Sequence, residues 1–479
     1  MKITCQYLSD VERERIHRDS LKILAEVGVL FRSATARKIL ARSGAKVDEA
    51  SQIVKIPKEL VAQALATAPK NFTLGARNAA FDFAMPSAFT GYTLDGAATF
   101  TVDAKTGERR YAVAEDMIAS LRIFEELPLG TVVWPNVVLS DIPEQSSDVR
   151  TSFLSLMNSS KHIQHEVHAP EHVPFILEGL AAILGSEAAI KERKIFSVCY
   201  CTIPPLTHDD EMCDACLELA KFHVPILPYP MPAPGSTGPA SLYSDIAVAN
   251  AESLSALVLF QLAAPGAPVI HGGAAGATNF NTGGFVEGAP ESNMLNGAMA
   301  DMARFYRLPT IVAGGLSDAK APGAQAMMEK MFSTLPLVMA GVDVINGIGE
   351  FGTSQMLLQE QIVVDHEMAA LCKRMKDGIE VGDAKDLFED VMRVGPGGNF
   401  LMEDSTVMAC RSEEFSRPEL VDRGSYEQWV DAGRPDMYAK ARARVAAILA
   451  EPLKNPLPDK VVGRLEEIMR RADEELKHE

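Results

Sequence analysis

The chain has 479 residues, 47% hydrophobic and 23% charged, an ordinary globular composition with enough apolar material for a large core. Its 46 basic and 64 acidic residues give a formal charge of −18, which excludes a nucleic-acid partner held by clustered Lys and Arg and favours cationic ligands. The N-terminal MKITCQYLSDVERERI lacks the apolar stretch of a secretory signal, no run approaches the ~18 apolar residues of a membrane span, and seven cysteines in so long a chain read as reduced thiols, so a cytoplasmic protein without a membrane partner is expected.

The N-terminal stretch LSDVERERIHRDSLKILAEVGVLF spaces Ile16, Leu21, Ile23, Leu24 and Val27 as one face of a helix, with Ser9 and Asp10 as candidate caps. Further helices are predicted near 33–42 and 57–67. Short strands follow, the last two forming a hairpin closed by Asp103-Ala104-Lys105-Thr106-Gly107. From about residue 113 the pattern alternates. Helices near 114–127, 148–158, 171–185, 209–222, 240–263, 290–306, 323–340 and 354–375 separate strands near 131–138, 162–167, 195–202, 225–230, 267–272, 309–314 and 342–346.

Short β-branched strands alternating with amphipathic helices imply parallel pairing with both sheet faces covered. Seven such units, and no GxGxxG opening the first, favour an α/β fold of the (β/α)8 TIM-barrel type. The expected organisation is an N-terminal α+β section over 1–112, the barrel over 113–410 and a helical C-terminal extension over 411–479. The eighth strand is either 92–96 or 400–402.

Active sites of such barrels form where strands end and the following loops begin. That rule nominates Trp134 and Asn136; His165, Glu166 and His168; Tyr200 and Thr202; Tyr229; His271, Asn279 and Phe280; Ser317, Asp318 and Lys320; and Asn346, Glu350 and Phe351. Glu350, His271 and Asn346 are the catalytic candidates. Tyr92, Trp134, Tyr200, Tyr229, Asn279, Phe280 and Phe351 are the substrate-binding candidates, because aromatic faces attract quaternary ammonium groups. The rival reading for each aromatic is a core residue with a satisfied hydroxyl, and for Glu350 or Asp318 an ion pair with a loop cation. The Gly-rich loop from Gly272 to Gly288 is long for a compact domain, which marks it as functional. Cys199-Tyr200-Cys201 with Cys213-x-x-Cys216 superficially resembles a zinc tetrathiolate. The first pair lies on one face of a strand and the second on the next helix, so buried thiols are the expected reading and no tightly bound metal is expected.

An ordered set of segments resembles the trimethylamine methyltransferase family: PMPAPGSTGPASL at 230–242, NAESLSALVLFQLAAPGAPVIHGG at 250–273, GAPESNMLNGAMADMARFYRLP at 288–309, GGLSDAKAPGAQAMMEK at 314–330, VVDHEMA at 363–369 and RVGPGGNFLMEDST at 393–406. The resemblance implies a (β/α) barrel that takes a methyl group from an amine and gives it to the Co(I) of a corrinoid (cobalamin) held by a separate partner protein. It also implies a homo-oligomer. Archaeal members carry pyrrolysine in the region where this chain reads VINGIGEFGTSQ, so the likeness is to the branch without it, whose substrates are quaternary amines such as glycine betaine, proline betaine and carnitine. A quaternary ammonium releases its tertiary amine without protonation, so positioning and water exclusion suffice. The alternatives are another methylamine substrate, or a quaternary-amine binding protein without turnover.

Overall fold

In a computed structural model, which describes residues 4–476 other than 97, 104 and 105, eight parallel strands close into a ring. In chain order they are β1 (Gly91–Leu94), β2 (Gly130–Val133), β3 (His162–His165), β4 (Phe196–Cys201), β5 (Ile226–Tyr229), β6 (His271–Gly273), β7 (Thr310–Ala313) and β8 (Val344–Ile348). Each pairs with its neighbours in sequence, and β8 returns to β1 with Ile345 opposite Tyr92. A parallel bridge between Ile226 and Val269 joins β5 to the chain entering β6 and completes the closure.

The eighth strand is therefore the earliest one, and the barrel begins at Gly91, inside the stretch expected to belong to the N-terminal section. The alternative, 400–402, is a 3-10 turn in which Asn399 Oδ1 accepts from the Leu401 backbone. Between β1 and β2 the chain makes the antiparallel pair Phe100–Val102 and Arg109–Tyr111. Its expected turn at 103–107 lies partly outside the described residues, which omit Ala104 and Lys105.

Strand pleating sorts the interior from the shell. Val132, Trp134, Cys199, Leu227, Tyr229, Ile311 and Val344 form one apolar cluster with Leu74, Phe83 and Met85, which come from the antiparallel pair Phe72–Leu74 and Phe83–Met85. Those last three plug the N-terminal end of the barrel, and His162 Nδ1 ties the plug down through the Gly75 carbonyl at 2.8 Å. The other face of the strands packs on the helices. The longest of these, Leu242–Ala263, has the length and hydropathy of a membrane span but is a core helix, buried against Asp10–Lys22, Lys58–Thr67 and Pro290–Tyr306. The N-terminal helix is set by a capping box in which Ser9 and Glu12 satisfy each other's backbone N–H groups.

The helical C-terminal extension wraps the barrel. Met437–Ala450 lies on Gln359–Asp377 and Ala114–Glu125, and Asp459–Glu475 on Val173–Leu184 and Ser147–Asn158.

Candidate functional site

At the C-terminal end of the barrel, three carboxyl groups from distant parts of the chain converge. Asp95 follows β1, Glu287 ends the Gly-rich loop after β6, and Glu350 follows β8. Asp95 and Glu350 are buried and Glu287 is partly so. Ser354 bridges two of them: its Oγ bonds Asp95 Oδ2 and lies 2.9 Å from Glu287 Oε2. Thr353 and Ser354 both hold left-handed backbone (φ 61° and 51°), a strain of the kind that collects at functional sites. Asp318 holds the adjoining loops, accepting from the backbone N–H of Glu287 and Gly288 and from Thr353 Oγ1.

The electrostatics are those of a site short of a positive charge. Burial, with repulsion from Asp95 and Glu287, pushes the Glu350 carboxyl well above the usual carboxylate range. Desolvation and the neighbouring Asp95 raise Glu287 to about 8. Asp95 is raised by burial, against the bonds from Ser354 and Gly96 that oppose the shift. Neither carboxyl oxygen of Glu350 has a hydrogen-bond partner at normal length and angle among the described residues, although the Ala98 backbone N–H opposes the upward shift. Such a group costs free energy unless a ligand or a proton satisfies it.

Aromatic walls adjoin the acids. Trp134, one residue beyond β2, and Tyr229, at the end of β5, meet edge to face at 5.6 Å. Tyr229 Oη donates to Asn346 Oδ1 at 3.2 Å, and Asn346 Nδ2 donates to the Leu94 carbonyl at 2.9 Å. The indole lies directly over Gly96, where a Cβ would fall 2.2 Å from Trp134 Nε1. Only glycine at 96 lets the ring sit beside Asp95. Asn136, fully buried two residues beyond Trp134, has neither amide atom bonded among the described residues.

A rim sheet covers this mouth. Glu350–Phe351 pairs antiparallel with Met356–Leu357, which pairs parallel with Phe100–Val102. Below it, Lys330 Nζ bonds the Gly315 and Gly347 carbonyls and lies 3.0 Å from Asp365 Oδ2, which also accepts from Gly349 N. That buried ion pair pins the turns after β7 and β8 under the acids.

Of the residues expected at the site, Glu350, Asn346, Trp134 and Tyr229 are brought together here. Phe351 is buried in the same rim strand, where extended backbone turns it to the face opposite Glu350. Three expectations are corrected. Tyr92 and Tyr200 belong to the outer core, and Tyr200 Oη bonds His208 Nδ1 at 2.9 Å. His271 lies outside the barrel wall, its Nε2 3.1 Å from Asn250 Oδ1 and its ring against Tyr306; burial lowers it to about 3, so it is neutral. In each case the pleat points the side chain at the helices. Asn279 and Phe280 sit exposed beyond the hairpin Ala277–Thr278 and Phe285–Val286. Asp95, Glu287 and Ser354 were not among the expected residues. Asp95 lies within 92–96, one of the two alternatives for the eighth strand, and Glu287 lies in the long Gly-rich loop Gly272 to Gly288.

The thiols divide as the pleat requires. Cys213 and Cys216 are buried in the outer core, while Cys199 faces the barrel interior with Cys201 Sγ 3.9 Å away, so no tetrathiolate forms.

Comparison with known proteins gives a consistent result. The trimethylamine methyltransferase (MTTB) family model matches residues 2–477. The chain is 31% identical over 467 residues to trimethylamine methyltransferase MttB of Desulfitobacterium hafniense (strain DSM 10664 / DCB-2), covering 98% of this chain and 94% of that one. It is 28% identical over 478 residues to the glycine betaine methyltransferase of Desulfitobacterium hafniense (strain Y51), covering 98% of each. Among solved structures, the hydroxylamine complex of MtmB superposes with a TM-score of 0.51 at 11% identity, over 92% of this chain and 89% of that one, a likeness of fold.

Proposed function

The chain belongs to the trimethylamine methyltransferase family and is a methyltransferase, and from that premise we propose that it moves a methyl group from a quaternary amine, glycine betaine foremost, to the Co(I) of a corrinoid held by a separate protein. The observation that carries the reading is the trio Asp95, Glu287 and Glu350 beside Trp134 and Tyr229, with neither Glu350 oxygen in a hydrogen bond of normal length and angle among the described residues. A quaternary ammonium has no N–H to donate. It is held by charge and by aromatic faces, and acids in a low-dielectric mouth supply the larger part.

The mouth fits delivery to a partner's corrin in one respect visible in the fold. It lies at the C-terminal face of the barrel, where loops and the short rim strands, not helices, form the edge. Reduced cobalt supplies the nucleophile when the corrinoid protein docks. The work left to this chain is binding and orientation. Asp95 and Glu350 attract the cationic nitrogen, Trp134 and Tyr229 limit its position, and Asn346 fixes Tyr229. The rim sheet keeps water from the N-methyl groups. No proton needs to move to the nitrogen, because the departing tertiary amine is already a neutral leaving group.

The test is anaerobic incubation of the purified protein with Co(I) cobalamin and a panel of glycine betaine, proline betaine, carnitine and trimethylamine. Methylation of cobalamin with glycine betaine, and release of dimethylglycine, is expected. Calorimetric binding of a betaine without methylation by any of the panel would instead establish a binding protein.

A further inference from the structure

Three potential ligands from two neighbouring strands lie inside the same mouth: Glu166, just beyond β3, and Cys199 and Cys201 of β4 have ligand atoms all within 4.8 Å of one another. We propose that Cys199, Cys201 and Glu166 form a three-ligand site for Zn2+ with an open fourth position. The betaine carboxylate takes that position, a part of the proposal that rests on the substrate reading above.

The geometry is that of a site already laid out for a tetrahedral ion. Zinc–thiolate bonds of about 2.3 Å at the tetrahedral angle place two sulfurs about 3.8 Å apart. Cys199 Sγ and Cys201 Sγ are 3.9 Å apart. Residues two apart on a strand point the same way, so the spacing follows from Cys-x-Cys on an inward face. The carboxylate is oriented from outside, as metal-binding carboxylates usually are. Trp134 Nε1 donates to Glu166 Oε2 at 3.1 Å, and His165 Nδ1 lies 3.1 Å from the same oxygen. A carboxylate can keep both contacts and still offer its other oxygen.

Two thiolates and one carboxylate are a borderline-soft donor set suited to zinc and poor for magnesium or calcium. Burial holds the Cys199 thiol well above its ordinary range. Binding Zn2+ forms two Zn–S bonds and releases two thiol protons to solvent, so affinity rises with pH. Three protein ligands with one open position mark a ligand-binding zinc, since structural sites close with four. Tyr229 stands within electrostatic reach of the Asp95 and Glu287 carboxyls as well as of Cys199 and Cys201. A zwitterion with its ammonium among the acids and its carboxylate at the metal would span that ring.

The experiment is metal analysis and cobalt substitution of the full-length protein. Purified anoxically with a reductant, it should carry close to one zinc per chain. After chelation it should take up one Co2+, with thiolate charge-transfer bands in the near ultraviolet and intense visible bands of a tetrahedral ion. Cys199→Ser with Cys201→Ser should abolish those bands, and Glu166→Gln, which removes a ligand itself, should weaken metal affinity by more than the ~10–100-fold typical of losing a partner one shell out. Cys213→Ser, in the outer core, should leave them unchanged. Wild-type protein that takes up no Co2+ with thiolate bands overturns the site, and so does a Cys199–Cys201 disulfide in protein kept anoxic and reduced. Added glycine betaine should shift the visible bands of the Co2+ protein while tetramethylammonium should not; unshifted bands overturn the carboxylate assignment. None of these readouts uses turnover, so a metal-loaded protein that demethylates nothing refutes the substrate reading alone, and a metal-free protein that demethylates betaine refutes the site alone.

Discussion

Binding of a quaternary amine should release a proton. Glu287 has an apparent pKa of about 8 in the ligand-free site because its carboxyl is desolvated beside Asp95. A cation in the mouth favours the ionised form, so the cation and the proton compete. For one such group, the ionised fraction is about 0.01 at pH 6 and about 0.5 at pH 8, so the apparent affinity should rise about 50-fold over that interval and level off above it. Glycine betaine itself carries no group that titrates there. Calorimetry in buffers of different ionisation enthalpy should give more than one proton released per betaine at about pH 6.5, because Glu350 is held above the usual carboxylate range as well as Glu287. Glu287→Gln should flatten part of the pH dependence and lower the plateau affinity. An affinity that is flat from pH 6 to 8, or proton uptake on binding, would refute the idea that the acids hold the cation.

Gly96→Ala should displace the Trp134 indole, costing about 1–3 kcal/mol of stability and at least a tenfold loss in kcat/KM; unaltered turnover would show that the ring does not line the site. Tyr200→Phe and Tyr229→Phe each remove one hydroxyl, and steady-state kinetics should separate them, with Tyr200→Phe within twofold of wild type and Tyr229→Phe about fivefold to tenfold lower. Lys330→Met strands Asp365 without its cation and should cost about 3–5 kcal/mol in urea unfolding; a loss below about 1 kcal/mol would contradict the buried pair. Asp95, Glu287 and Glu350 all have folded pKa values above their unfolded ones, so these three groups bind fewer protons in the unfolded chain between about pH 4.5 and 8, whereas His162, His208, His271 and His366, lowered by desolvation, do the reverse below about pH 6.5. Thermal scans of the ligand-free protein should therefore show Tm falling as pH rises from about 6.5 to 8, a fall that Glu287→Gln reduces and betaine reverses.

Much of the barrel is readable from hydropathy, because strands such as Thr310–Ala313 and helices such as Pro290–Tyr306 differ sharply in length and apolar period. β1 is harder, since the rim hairpin separates it from the next strand–helix unit and hides the repeat. The direction of a side chain is harder still. A parallel barrel strand is buried on both faces, so its residues are apolar throughout and show no alternation from which to set the pleat. That is why Tyr200 and Cys199, adjacent in one strand, look equally eligible for the site although one packs on His208 and the other faces the interior. A single assignment breaks the degeneracy. Once Cys199 and Cys201 share the inner face, Tyr200 must face out, and the same count turns Ile270 inward and His271 outward. The acids obey no such count. Positions 95, 287 and 350 stand in no periodic relation, and only ring closure between β8 and β1, with the loop after β6 folding back over both, brings the three carboxyls within reach of one cation.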